Sequence, residues 1–270
     1  MKPQILILST LVLFWTLGII PSYANNEDDE DKLRATKICR ECDLSGINLN
    51  NDDLIGAVLP NADLSDVGMS HAVAISTYLP RADLSDANLK RAYLTSAYLY
   101  EANLTDANLS MAYLTNANLT GANLTDANLT EAYLIRVNLR EAELTEANLC
   151  DANLTNAILS SAILLNANLP KVNLSRANLN DANLTNTNLT RANLTRANLT
   201  GANLTGSDLS ETDLTGANLS GADLSETDLS ETNLTGANLT GANLTDAILN
   251  SALTCNTTMP DGTVDNSDCK

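Results

Sequence analysis

From Leu44 to Leu249 a leucine occupies every fifth position, and only Met69 and Ala74 interrupt the series. Two places before nearly every leucine stands a small residue, usually alanine, as at Ala82, Ala87, Ala92 and Ala97. The residue just before the leucine is mostly Asn or Asp, and the residue just after it mostly Thr or Ser. In an α-helix five residues turn about 500°, so successive leucines step about 140° around the cylinder and share no face. In a flat strand side chains alternate, so leucines five apart point to opposite sides. One interior for all of them requires the chain to turn by a fixed angle in each pentad and to coil about its own axis. The pattern predicts a solenoid whose coils stack at strand spacing and hydrogen-bond to their neighbours.

A weaker, longer period counts the pentads in one coil. Tyr93, Tyr113 and Tyr133 lie twenty residues apart, as do Tyr78 and Tyr98. Asp66, Asp86, Asp106, Asp126 and Glu146, in a middle outward position, keep the same interval. A step of fifteen from Asp66 meets Arg81, Ser96 and Met111, which share nothing. Four pentads per coil are therefore expected, and ~10.5 coils at ~4.8 Å give a rod ~50 Å long.

The runs ADLSDANL, EANLTDANL, TGANLTDANL and TGANLSGADL resemble the pentapeptide-repeat family, whose unit is written A(D/N)LXX. The resemblance covers residues 39–253. It implies an all-β fold, a right-handed quadrilateral parallel β-helix with the leucine and the small residue pointing inward. A small residue beside each leucine agrees with the steric need, since a larger one would overpack the axis. Ile47 and Asp52 stand in small-residue positions and predict local irregularity in the first coils.

The ends carry different signals. Lys2, the apolar run Ile5 to Ile20, and Ser22 and Ala24 at spacing for cleavage after Ala24 give residues 1–24 the pattern of a secretory signal peptide, the alternative being an uncleaved N-terminal anchor. The run is short for a membrane span, which needs about 20 residues. Residues 25–38 suit an N-terminal cap helix, acidic at its start and basic later, with Leu33 and Ile38 facing the first coil. Residues 254–270 read as a turn-rich C-terminal cap. The KICRECDLSG and CNTTMPDG segments resemble those at the ends of many cyanobacterial pentapeptide-repeat proteins. In an exported chain Cys255 and Cys269 are expected to form a disulfide that closes this cap. Cys39 and Cys42 take a leucine and a small-residue position, so packing or a structural disulfide is favoured over redox or zinc chemistry. Cys150 points outward, unpaired.

Composition narrows the function. The net charge is −18, with 15 basic and 33 acidic residues, and aromatics are 3% of the chain. Such a chain is repelled by nucleic-acid phosphates and by anionic lipid, so neither is an expected partner, nor is a membrane after cleavage. His71, the one histidine, lies where the leucine series breaks, a mark of function or of drift in a tolerant coil. No cofactor, metal site or catalytic residue is expected. The many Asn-Leu-Thr triplets match a glycosylation acceptor only because Asn precedes and Thr follows each leucine.

Two rows of side chains are candidate interaction sites: Asp66, Asp86, Asp106, Asp126 and Glu146, and Tyr93, Tyr113 and Tyr133. The acids form a solvated face, or a row for a cationic partner or weak cation binding. The tyrosines stack to stabilise neighbouring coils or form a partner stripe. The leading expectation is a non-enzymatic, monomeric rod, exported to the periplasm or thylakoid lumen, that serves as a structural or protein-interaction surface for an unknown protein partner. The alternative implied by the resemblance is a cytosolic DNA-mimic inhibitor of a type II topoisomerase.

Overall fold

The computed structural model describes residues 26–269. The expected signal segment, with its cleavage site at Ala24, lies outside them. From Ile38 onward the chain makes parallel bridges between residues twenty apart, beginning with Ile38 to Val58 and ending with Asn238 to Thr258. Four pentads therefore close one coil, and the fold is a quadrilateral β-helix.

Each corner is a β-turn in which the leucine carbonyl accepts the amide three residues on, as Leu54 does from Ala57 at 2.9 Å. The third turn residue has positive φ in every pentad, from 54° at Glu41 to 53° at Asn256, the pattern of a type II turn. Asn, Asp and Gly tolerate that conformation best, which accounts for much of the residue choice there. The Asp66 series, expected in a middle outward position, therefore occupies a corner, because the pentad bends there and not at the leucine.

The Asn-Leu-Thr unit has a local explanation. The side-chain oxygen of Asn103 accepts both the amide of Thr105 at 3.2 Å and its hydroxyl at 2.7 Å, and the same pair recurs along the array. Asparagine amides then bond coil to coil, Asn168 to Asn148 at 3.1 Å and Asn188 to Asn168 at 3.0 Å. These asparagines are held in ladders of the kind that stabilise cross-β stacks.

Leucines and alanines fill the interior, and Met69 and Ala74 are as buried as the leucines they replace. In the C-terminal third, Thr212, Thr227 and Thr232 enter small-residue slots, and their hydroxyls donate to leucine carbonyls of the preceding coil at 2.8 to 3.0 Å. The buried hydroxyls are thus satisfied, as interior polar groups must be.

Both ends of the stack are covered. Helix α1, Asn26–Thr36, lies over the first coil. It stops short of Ile38, because Lys37 turns to a φ of 56° and Ile38 already pairs with Val58. Leu33 is buried as expected, whereas Ile38 is 49% exposed on an outer face. The Asp29 carboxylate accepts the first-coil amide of Asp43 at 3.0 Å, and Arg34 donates to the carbonyl of Asn48 at 3.3 Å. Ile47 and Asp52 leave the coil regular: Ile47 packs against the core, and Asp52 pairs with Arg34. At the other end strands β1, Thr257–Thr258, and β2, Val264–Asp265, form an antiparallel hairpin. Asp268 accepts the amide of Thr254 at 2.9 Å, and Asn266 that of Asn256 at 3.1 Å, where a further coil would otherwise pair.

Candidate interaction faces

The twenty-residue coil turns the outer surface into straight columns. Four of them are corners, those of Asp66, His71, Ser76 and Arg81, with every twentieth residue following in each. Asp66, Asp86, Asp106, Asp126 and Glu146 occupy consecutive rungs of one corner and are all exposed. Among the described residues, none of the five is in an ion pair, and no Lys or Arg stands on that corner at any rung. Like charges at strand spacing repel, so this row attracts counter-ions or cationic groups.

Tyr93, Tyr113 and Tyr133 stand in mid-face on consecutive rungs. Their rings are 4.8 Å apart at 2° to one another in both pairs. That spacing leaves no room for a third ring between them. The stack therefore packs coil on coil and turns ring edges and hydroxyls, not ring faces, toward a partner. Beside it His71, Arg91, Met111 and Glu131 of the adjoining corner complete a shallow groove of about 350 Å³. On the next face Tyr78 meets Tyr98 and Tyr100 at 6.0 and 6.3 Å, and its hydroxyl lies 3.1 Å from that of Tyr100. Every described tyrosine thus falls between residues 78 and 133, on two adjoining faces. Periodicity alone shows the columns, but which columns adjoin follows only once the coil is closed.

Four of the five cysteines are paired in disulfides. Cys39 and Cys42 form a buried disulfide, and Cys255 and Cys269 form a second one across the C-terminal cap. Asp29 lies near the first pair, yet sulfurs joined to each other offer no thiolate to a metal. Cys150 is the free cysteine among the described residues, and burial, followed by Asp151, pushes its thiol up. His71 lines the tyrosine groove at a regular corner, so the break in the leucine series leaves no distortion beside it.

Pentapeptide repeats match residues 38–73, 82–121, 122–160, 138–176, 177–216 and 212–250. No curated protein matches the chain. It is similar to the crystal structure of HetL, a pentapeptide repeat protein involved in heterocyst differentiation regulation from the cyanobacterium Nostoc sp. strain PCC 7120. Identity is 32% over 89% of this chain and 99% of HetL, with a TM-score of 0.56. It is also similar to Rfr23 of the cyanobacterium Cyanothece 51142, at 38% identity over 40% of this chain and 63% of that one, with a TM-score of 0.24. QnrB1, a plasmid-mediated fluoroquinolone resistance protein, aligns at 20% identity over 78% of this chain and 90% of its own, with a TM-score of 0.35. Repeats matched over most of the length, coils of four pentads, and a full-length likeness to HetL agree: the chain belongs to the pentapeptide-repeat family, with that family's right-handed quadrilateral β-helix.

Proposed function

We propose that the protein is a non-enzymatic, exported rod, monomeric by itself, whose outer columns form a protein-interaction surface in the periplasm or thylakoid lumen. The observation that carries this reading is the register of the outer side chains. Residues twenty apart stand over one another for the whole array, so charge and aromatic rings are displayed in straight rows on a rigid support. Asparagine and threonine side chains between those rows are bonded to one another, which holds the surface in one arrangement. Export rests on the signal-peptide pattern ending at Ala24 and is supported by the two disulfides, which persist in oxidising compartments.

Fractionated cells test both parts. N-terminal sequencing is expected to find a mature chain starting at Asn25 in an exported compartment. Native electrophoresis of the same fraction is expected to find it in a complex larger than the rod. A chain that migrates alone under mild extraction would overturn the interaction reading.

The acid corner also keeps a second reading in view, mimicry of duplex DNA toward a type II topoisomerase. A duplex, however, shows phosphate on every side, whereas three adjacent columns of this rod, from the Ser76 corner across the face of Tyr78, have no carboxylate from Ile38 to Thr240. An intact Met1 in the cytosolic fraction, together with inhibition of gyrase supercoiling by the purified chain, would put this second reading first.

A further inference from the structure

The face between the Ser76 corner and the Arg81 corner departs from the rest of the surface. Short of the Arg81 corner, where Glu41, Glu101, Glu141 and Asp181 form its acidic edge, its outward residues run in three columns: the Ser76 corner, the column of Tyr78 and Tyr98, and the column of Pro80 and Tyr100. From Ile38 to Thr240 these three columns contain no Asp or Glu, in a chain with a net charge of −18. They do contain Arg40, Arg136, Arg140, Arg176 and Arg196. The Asp66 corner, which has acids and no base, is diagonally opposite the Ser76 corner, two pentads away. The rod is thus polarised across its section.

Exposed apolar side chains gather on the same side. Ile38, Tyr78, Tyr98 and Ile158 lie on the acid-free face, and Ile55, Tyr93 and Tyr133 on the face that adjoins it at the Ser76 corner. Between Ile38 and Leu239, Ile163 is the single large exposed hydrophobic placed elsewhere. Exposed tyrosine and arginine beside aliphatic side chains, with carboxylates excluded, is the composition of protein interface cores. Arg136, Arg176 and Arg196 make no ion pair among the described residues, so their charge is free to meet a partner.

We propose that this acid-free face is the docking face for a protein partner whose contact segment interleaves carboxylates with aromatic or aliphatic side chains. The proposal rests on the interaction reading above and names its surface. Charge complementarity selects the partner: its carboxylates meet the unpaired arginines, and its apolar groups cover Tyr98 and Ile158. A basic partner is instead drawn to the opposite corner. A second copy of the chain brings the same strong negative charge and is repelled at range.

The test is selection of a phage-displayed random dodecapeptide library on the purified full-length chain. Enriched peptides are then titrated against the unaltered chain, a Tyr98→Ala variant, an Arg136→Glu, Arg176→Glu double variant, and an Asp86→Asn, Asp106→Asn control. All these side chains are exposed or at corners, and an unchanged circular dichroism melt verifies each fold. The expected result is peptides that combine Asp or Glu with aromatic or aliphatic residues, weakened at least tenfold by the first two variants and unaffected by the control. Lysine- or arginine-rich peptides that respond only to the control would overturn the assignment of this face and leave the interaction reading standing. Failure to enrich any specific peptide would remove both.

Discussion

The guanidinium of Arg34 in the cap helix lies 2.6 Å from the carboxylate of Asp52 in the first coil. Asp52 is the one charged residue in a small-residue slot of the array, and this contact explains why it is there. Arg34 also holds Glu30 at 2.8 Å, so one side chain ties the helix to itself and to the coil. The groups are partly exposed, which limits such a pair to about 0.5–1 kcal/mol. A double-mutant cycle with Arg34→Ala and Asp52→Ala should return a coupling of that size in thermal or urea melts. Strictly additive effects would show that this pair contributes nothing to the docking of the helix, which is then left to Leu33, the Asp29 bond to the Asp43 amide and the Arg34 bond to the Asn48 carbonyl.

The tyrosine stack makes a graded prediction. Tyr113 stacks on two neighbours, Tyr133 on one. At about 0.5–1.5 kcal/mol per aromatic pair, Tyr113→Ala should destabilise about twice as much as Tyr133→Ala through lost stacking. Equal losses measured by urea unfolding would mean that each ring contributes through its contact with the face beneath, not through its neighbours.

Thr232 is fully buried, and its hydroxyl reaches the carbonyl of Leu209 in the coil below at 2.9 Å. Thr232→Val keeps the shape and deletes that bond, so a loss of about 1 kcal/mol is expected, with Thr232→Ser closer to the original. A valine variant as stable as the parent would show the bond between coils to be energetically neutral.

Removing the C-terminal disulfide should loosen one end only. The Cys255–Cys269 disulfide closes a separation of 14 residues, for which loop entropy gives about 3 kcal/mol. In a solenoid each coil contacts only its neighbours. The Cys269→Ser variant should therefore speed amide hydrogen exchange from Leu244 onward and leave the coils around Leu104 protected. Uniformly faster exchange would indicate that the array unfolds as one cooperative unit.

Acid should destabilise the rod. The Ile55 amide and then Lys37 hold the Asp53 carboxyl below the ordinary carboxylate range; hydrogen bonds from Arg191 do the same for Glu211, and from the Ser225 hydroxyl and amide for Asp223. Each carboxyl binds a proton less readily folded than unfolded. Their stabilisation is therefore complete above the unfolded value near pH 4 and is lost as pH falls through the lower folded values. Melting temperature at 0.15 M salt should be level near neutrality and drop below about pH 4. A rise on acidification would show that relief of the net negative charge outweighs these hydrogen bonds.

The coil was legible in the sequence because leucine identity reports the interior directly, and the spacing of Tyr93, Tyr113 and Tyr133 reports the closure. Three features were not. Asp52 looked like a fault in the repeat because its partner, Arg34, is brought over the coil only when the helix docks. Asp66 and its successors show in the sequence only as a middle outward position, because a leucine period does not say where within the pentad the chain bends; their positive φ does. The acid-free face is scattered in the chain as single residues, and it becomes one surface only when pentads a full coil apart are superposed.

Because one identical turn closes every pentad, the array behaves as a four-position dial. Inserting one pentad ahead of Glu211 would advance everything beyond it by one stop and bring Glu211 and Glu231 onto the Ser76 corner. Deleting one ahead of Glu101 would bring Glu101, Glu141 and Asp181 there instead. Only changes in whole coils leave the dial unmoved. A face kept free of acid from Ile38 to Thr240 therefore constrains how this chain lengthened: in steps of twenty residues, or in smaller steps whose misplaced charges were later removed.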